Sequence, residues 1–195
     1  DILDKFMKRN VVKRPIVVAD AAMLSHDNIV ELKEKSLSYI VGARLDNTSL
    51  KIIKDSYKKL NGKDGKSIRI ETDNGYLIIE FSRKRYNKDK YEMEKQILKA
   101  KRMIDEGVGV KRTKFVKQKT DANSYSLNET LIEKNKMLFG MKGYYTNQSK
   151  SIFSDKDVIE RYHDLWHVEQ AFRIAKSDLA SRPVFHYKAD AVRSH

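Results

Sequence analysis

Residues 16–20, Ile16-Val17-Val18-Ala19-Asp20, form an unbroken apolar run, mostly β-branched, that ends in an acid. The run lacks the polar alternation of a strand with one wet face. It therefore predicts a strand covered on both faces, as in the sheet of an α/β layer, with Asp20 at its C-terminal end. Ser25, with Asn28 three residues on, opens a helical pattern through Ile29, Leu32 and Leu37, and Tyr39-Ile40-Val41-Gly42-Ala43 starts a second strand. Strand, helix and strand in that order suggest parallel pairing, because parallel neighbours need a crossover between them.

The middle of the chain changes period. Ser67 to Thr72 alternates polar and apolar, Asn74-Gly75 is a two-residue hairpin signal, and Tyr76 to Phe81 returns, so an antiparallel hairpin is expected. From about Asn87 to Glu106 a lysine-rich helix carries Met93, Ile97, Ala100 and Ile104 on one stripe, with Gly107 placed to stop it. Thr113 to Lys119 is a strand candidate, Thr120 to Ser126 reads as a polar loop, and Gly143 to Asn147 as a short strand.

Charge divides the chain in the same way. Residues 1–46 hold 8 basic and 7 acidic side chains, residues 47–143 hold 24 and 13, and residues 144–195 hold 8 and 7. Nearly all of the net +13 therefore lies in the middle. Two near-neutral pieces, 1–46 and 144–195, read as one folded core, and 47–143 as a basic insertion that could lie along a polyanion or simply present a solvated lysine face. The chain has no cysteine, which excludes disulfides and thiolate metal sites and fits a reducing cytoplasm or nucleoid. No apolar run approaches the roughly 20 residues of a membrane span.

Ser154 followed by Asp157 is a capping-box pattern that begins a long helix. Val158, Tyr162, Leu165, Glu169, Phe172, Lys176 and Leu179 follow at alternating steps of four and three, so they share one side, drifting by about 20° per seven residues. The stripe is apolar except at Glu169 and Lys176. A charge within an apolar stripe calls for a partner, and a metal ion or a phosphate would serve; the plainer alternative is an ion pair of Glu169 with Arg173. Asp20 has a plain alternative too, as a cap on the next helix. Together the two acids suit two-metal phosphoryl transfer, in which carboxylates bridge Mg²⁺ or Mn²⁺ through hard oxygen ligands.

The residues around both acids resemble a known family. Val17-Val18-Ala19-Asp20-Ala21-Ala22-Met23-Leu24-Ser25 resembles the second-acid segment of bacterial insertion-sequence transposases of the DDE class. Tyr162 to Lys176, with Arg182-Pro183-Val184-Phe185-His186 beyond it, resembles the third-acid helix of members carrying a Tyr-Arg-Glu-Lys signature. Tyr162, Glu169 and Lys176 fall at the signature spacings, whereas the Arg position is Leu165. The resemblance implies an α/β, ribonuclease-H-like core with a mostly β insertion, and Asp20 and Glu169 as catalytic metal ligands for Mg²⁺ or Mn²⁺. It also implies Tyr162 and Lys176 as contacts to DNA, with Arg173 a candidate for the missing arginine's role. The partners are then double-stranded DNA at transposon ends and target, with a homodimer on DNA as a candidate assembly and no membrane.

In such a core the first acid lies on a strand that precedes the one ending at Asp20. Residues 1–19 are too few for the elements required, so the core is expected to be incomplete and the chain inactive alone in DNA cleavage and strand transfer. Two other readings compete. One is a non-catalytic DNA-binding or interaction module in which the acids are structural. The other is a zinc hydrolase, because His163-Asp164-Leu165-Trp166-His167 mimics a His-Glu-x-x-His site; both imidazoles lie roughly 100° or more from the apolar stripe, where a solvated or interface pair is the ordinary expectation.

Overall fold

The computed structural model describes residues 15–22, 26–107, 113–118 and 124–177. A five-stranded mixed sheet runs through it in the order β1 (Ile16–Ala19), β2 (Ser38–Ala43), β7 (Met141–Thr146), β4 (Gly75–Phe81), β3 (Ser67–Thr72). β1 pairs in parallel with β2 across the crossover helix α1 (His26–Glu34), as the strand–helix–strand pattern predicts. Every other pairing is antiparallel. The expected hairpin forms β3 and β4, turning at Gly75 with φ 90°. It does not stand apart: β4 pairs with β7 and β7 with β2, so one sheet spans both sides of positions 46 and 144.

Alternation along each strand sorts the side chains onto two faces. On one, Ile16, Val18, Ile40, Ile78 and Tyr144 meet Val158, Ile159 and Tyr162 of α5 (Asp155–His163). On the other, Val17, Ala19, Tyr39 and Val41 meet Ile29 and Leu32 of α1. Further along that second face, Leu77, Ile79, Phe81 and Met141 pack on Leu45, Ile52 and Leu60, the last two from α2 (Leu50–Leu60). α2 has no counterpart among the expected elements, although Ser49 caps it by accepting the Ile52 N–H. A satellite core lies outside the sheet. There Met93, Ile97 and Ala100 of α3 (Arg83–Glu106) meet Phe115, Ile132 of α4 (Glu129–Met137), and the ribbon of β5 (Val116–Gln118) and β6 (Tyr125–Leu127).

Several boundaries differ from expectation for local reasons. α1 ends at Glu34, short of Leu37, because Ser36 takes a left-handed φ of 51° while Leu37 N–H reaches Leu32 O and Ser36 N–H reaches Lys33 O, a Schellman closure. α3 starts at Arg83, earlier than expected, with Ser82 as its cap, and stops at Gly107 as expected. Tyr125 and Ser126 belong to a strand and not to a loop. Ser25, Leu179 and residues 182–186 lie outside the described residues.

The long helix begins at the expected capping box, where Ser154 and Asp157 bond reciprocally, but it divides into α5 and α6 (Leu165–Ser177) at Asp164. His167 N–H there bonds Asp164 O at 3.1 Å, a three-residue step that tightens the chain between the two helices. The apolar stripe is consequently not buried as one unit: Val158 is fully buried, whereas Phe172 is 63% exposed. β1 is the edge strand among the described residues, so no described strand lies beyond it to cover the far half of α6. Among the described residues no helix is long and apolar enough to cross a membrane.

Candidate active site

Asp20 leaves the C-terminal end of β1 in a tight turn, its Oδ1 accepting the Ala22 N–H at 2.9 Å. The parallel register that sets Ala19 against Val41 brings Asp20 beside Gly42. Gly42 in turn lies opposite Tyr144 on β7. Over this row stands Tyr162 of α5. A Cβ on Gly42 would lie 2.6 Å from Tyr162 Oη and 3.1 Å from Ala21 N, so the bare backbone of β2 is the seat of the tyrosine hydroxyl.

Burial pushes the Tyr162 hydroxyl above its ordinary pKa, and the negative charges of Asp20 and Glu169 push it the same way. Both acids are thus within electrostatic reach of one phenol, although they are 149 positions apart in the chain and come from a strand end and a different helix. Both are solvent-exposed. Glu169 and Arg173 form no ion pair, so the plainer reading of Glu169 is not realised. Asp20 bonds the turn that leaves its own strand.

α5 is held over this row by a nearly buried ion pair at its start. Arg69 Nε of β3 meets Asp155 Oδ1 at 2.7 Å, with side-chain exposures of 10% and 13%. The remaining guanidinium nitrogens of Arg69 donate to Gln148 O at 3.0 Å and Phe153 O at 2.8 Å. Each nitrogen of the arginine fork is therefore engaged, and the fork fixes the helix start to the distant edge of the sheet.

A second layer of polar groups flanks Tyr162. Tyr144 packs edge-on against it, with ring centres 4.8 Å apart, and donates its hydroxyl to Glu80 Oε1 on β4. Burial and the Glu80 contact hold the Tyr144 phenol protonated far above the usual range. His163 Nε2 lies 3.3 Å from Tyr144 Oη and 3.6 Å from Glu80 Oε1. Lys142 Nζ stands 4.6 Å from the Tyr162 ring centre and 5.4 Å from that of Tyr144. Burial lowers the Lys142 pKa and nearby Arg85 adds to that, while Glu80 and Glu169 oppose it.

Of the residues proposed from sequence, Tyr162 stands beside the turn after Asp20, and the charge of Glu169 reaches its hydroxyl. Arg173 is exposed on α6, and the Lys176 side chain lies outside the described residues. Leu165, at the signature arginine position, lines an open cavity with Ile16, Val18, Arg161, Asp164 and Val168. His163 and His167 sit on different helices; the first turns to Glu80 and Tyr144, and the second stacks on Trp166 at 4.3 Å. Among the described residues no group of three His, Cys, Asp or Glu could hold a metal ion. Gly42, Glu80, Lys142 and Tyr144 were not singled out. A glycine inside an apolar strand run is a signal of close approach and could have marked Gly42; the other three depend on cross-strand neighbours invisible in one sequence.

A family model described as a transposase DDE domain matches residues 1–195. No curated protein and no solved structure matches the chain.

Proposed function

The chain belongs to the transposase DDE-domain family, whose members generally use divalent metals, and on that premise we propose that Asp20 and Glu169 are two of its metal-holding acids. The observation that carries this reading is the Tyr162 hydroxyl, seated on Gly42 and within electrostatic reach of both carboxylates. The core formed by β1, α1, β2 and the helices α5 and α6 is then ribonuclease-H-like, with the span 47–143 as the insertion. The donor set fits Mg²⁺ or Mn²⁺ in part: two exposed carboxylates offer hard oxygen ligands, and the remaining positions fall to water, to phosphate oxygens and to a further acid. When bound, the ions supply charge stabilisation to the attacking and leaving oxygens of phosphodiester cleavage and strand transfer.

The chain's own residues bind and orient the DNA. Tyr162, kept protonated, donates a hydrogen bond to a phosphate oxygen beside the acids. Tyr144, itself bonded to Glu80, packs against its ring, so the hydroxyl needs little reorganisation when the substrate arrives. Arg173 and Lys176 on α6 contact the backbone of the transposon end, and both contribute charge without sequence information.

Calorimetric titration of the chain with Mn²⁺ tests this assignment. A weak site present in the parent and lost in both Asp20→Ala and Glu169→Ala is the expected result. Binding that survives either substitution in a folded chain would separate the acids and overturn the shared centre.

A further inference from the structure

A cavity of about 390 Å³ opens where β2 and β7 meet α3 and α4, outside the row that holds Tyr162. Ala43 and Gly143, paired across the two strands, lie among its lining residues, so small side chains leave the sheet end accessible. Four cations line it: Arg44, Arg85, Lys114 and Lys142.

Three acids also line it, Asp46, Asp89 and Glu92, and the last two are committed. Asp89 accepts the Gly140 N–H at 3.0 Å and faces Arg85 Nε at 3.5 Å, and Glu92 faces Lys88 at 3.8 Å. Among the cations, Arg85 Nε donates to Met141 O and Lys114 to Asn135 Oδ1. The side chains of Arg44 and Lys142, by contrast, form no ion pair or hydrogen bond among the described residues, and Lys142 lies over the Tyr144 and Tyr162 rings. These two also stand where the cleft meets the candidate active site. Arg44 borders a second cavity lined by Ala21 and Ala22, the turn after Asp20. Lys142 lies over the Tyr162 ring.

Two cations without a carboxylate partner, Lys142 resting on the Tyr162 and Tyr144 rings, at the mouth of a cleft that leads away from the proposed phosphate-cutting centre suit a chain of phosphates better than a single small anion. We infer that this cleft receives the phosphodiester backbone of the DNA strand that runs on from the acid pair, with Arg44 and Lys142 each contacting a phosphate. The inference rests on the phosphoryl-transfer reading of Asp20 and Glu169. It adds to that reading the path of the DNA and two contacts from outside the signature helix. Lys142 thereby supplies, from the sheet, a cation that Leu165 does not supply from the helix.

Fluorescence anisotropy with a labelled DNA duplex, titrated with salt, tests it on the whole chain. Arg44→Gln and Lys142→Gln are each expected to weaken binding several-fold and to reduce the slope of log affinity against log salt by about 0.9, one phosphate contact. Lys58→Gln, an exposed lysine of α2 away from the cleft, is expected to leave the slope unchanged. Arg44 is exposed, so its substitution leaves the fold intact. Equal slopes in parent and both cleft variants, or no duplex binding at all, would overturn the inference. So would heparin bound as tightly as the duplex with the same dependence on Arg44. Because the Mn²⁺ titration reads the acids without DNA, failure of the cleft and failure of the metal centre give separate results.

Discussion

Gly42→Ala perturbs the contact on which the site is built. The added Cβ would stand 2.6 Å from Tyr162 Oη, roughly 1 Å inside a relaxed contact, and Ala21 N at 3.1 Å closes the route away from the ring. The tyrosine is backed by Tyr144 at 4.8 Å, so it cannot swing freely aside. Overpacking of this kind costs about 2 kcal/mol, equivalent to a Tm lower by about 4 to 8 °C in a chain of this length. In a Tyr162→Phe background the closest side-chain approach becomes the ring carbon at 3.1 Å. The same alanine should then cost only about 1 kcal/mol, which leaves a coupling of about 1 kcal/mol between the two positions. Urea denaturation of the four proteins in the cycle measures that coupling. Equal costs in both backgrounds, or a neutral Gly42→Ala, would refute the seating of Tyr162 on the strand.

Asp155→Asn removes one partner of a pair with side-chain exposures of 10% and 13%, and leaves the Arg69 fork with a neutral neighbour. Thermal denaturation should show a loss of about 3 kcal/mol, with little dependence on salt because the pair is shielded from it. Ultraviolet titration of the phenols should show Tyr144 and Tyr162 ionising only above the ordinary phenol range. Since their folded pKa values are raised above the ordinary 10.0, the unfolded chain releases these protons first. Stability is therefore at its plateau below pH 10 and falls as pH rises above it, and a stability curve flat to higher pH would contradict the buried network.

The parallel β1–β2 unit, the β3–β4 hairpin, the capping box at Ser154 and the end of α3 at Gly107 were legible because each is set by neighbours close in sequence: an apolar period, an Asn-Gly turn, a cap or a glycine at a helix end. Asp20 at a strand end and Glu169 in an apolar helical stripe were legible as candidates by residue type and spacing, and Tyr162 by the family resemblance. The continuous buried stripe was not realised. Helical period fixes which side a residue takes, but whether that side is covered depends on what lies beneath, and α6 extends beyond the described sheet.

What the sequence could not determine is the company these residues keep. Glu80, Lys142 and Tyr144 come beside Tyr162 only because β7 pairs antiparallel with both β2 and β4, and that register is a long-range outcome of burying two sheet faces at once. The same pairing joins the hairpin to the core sheet and opens the cleft lined by Arg44 and Lys142. Local sequence determines the elements and the chemistry they can carry; the pairing of distant strands, driven by shared burial, determines which of those chemistries meet.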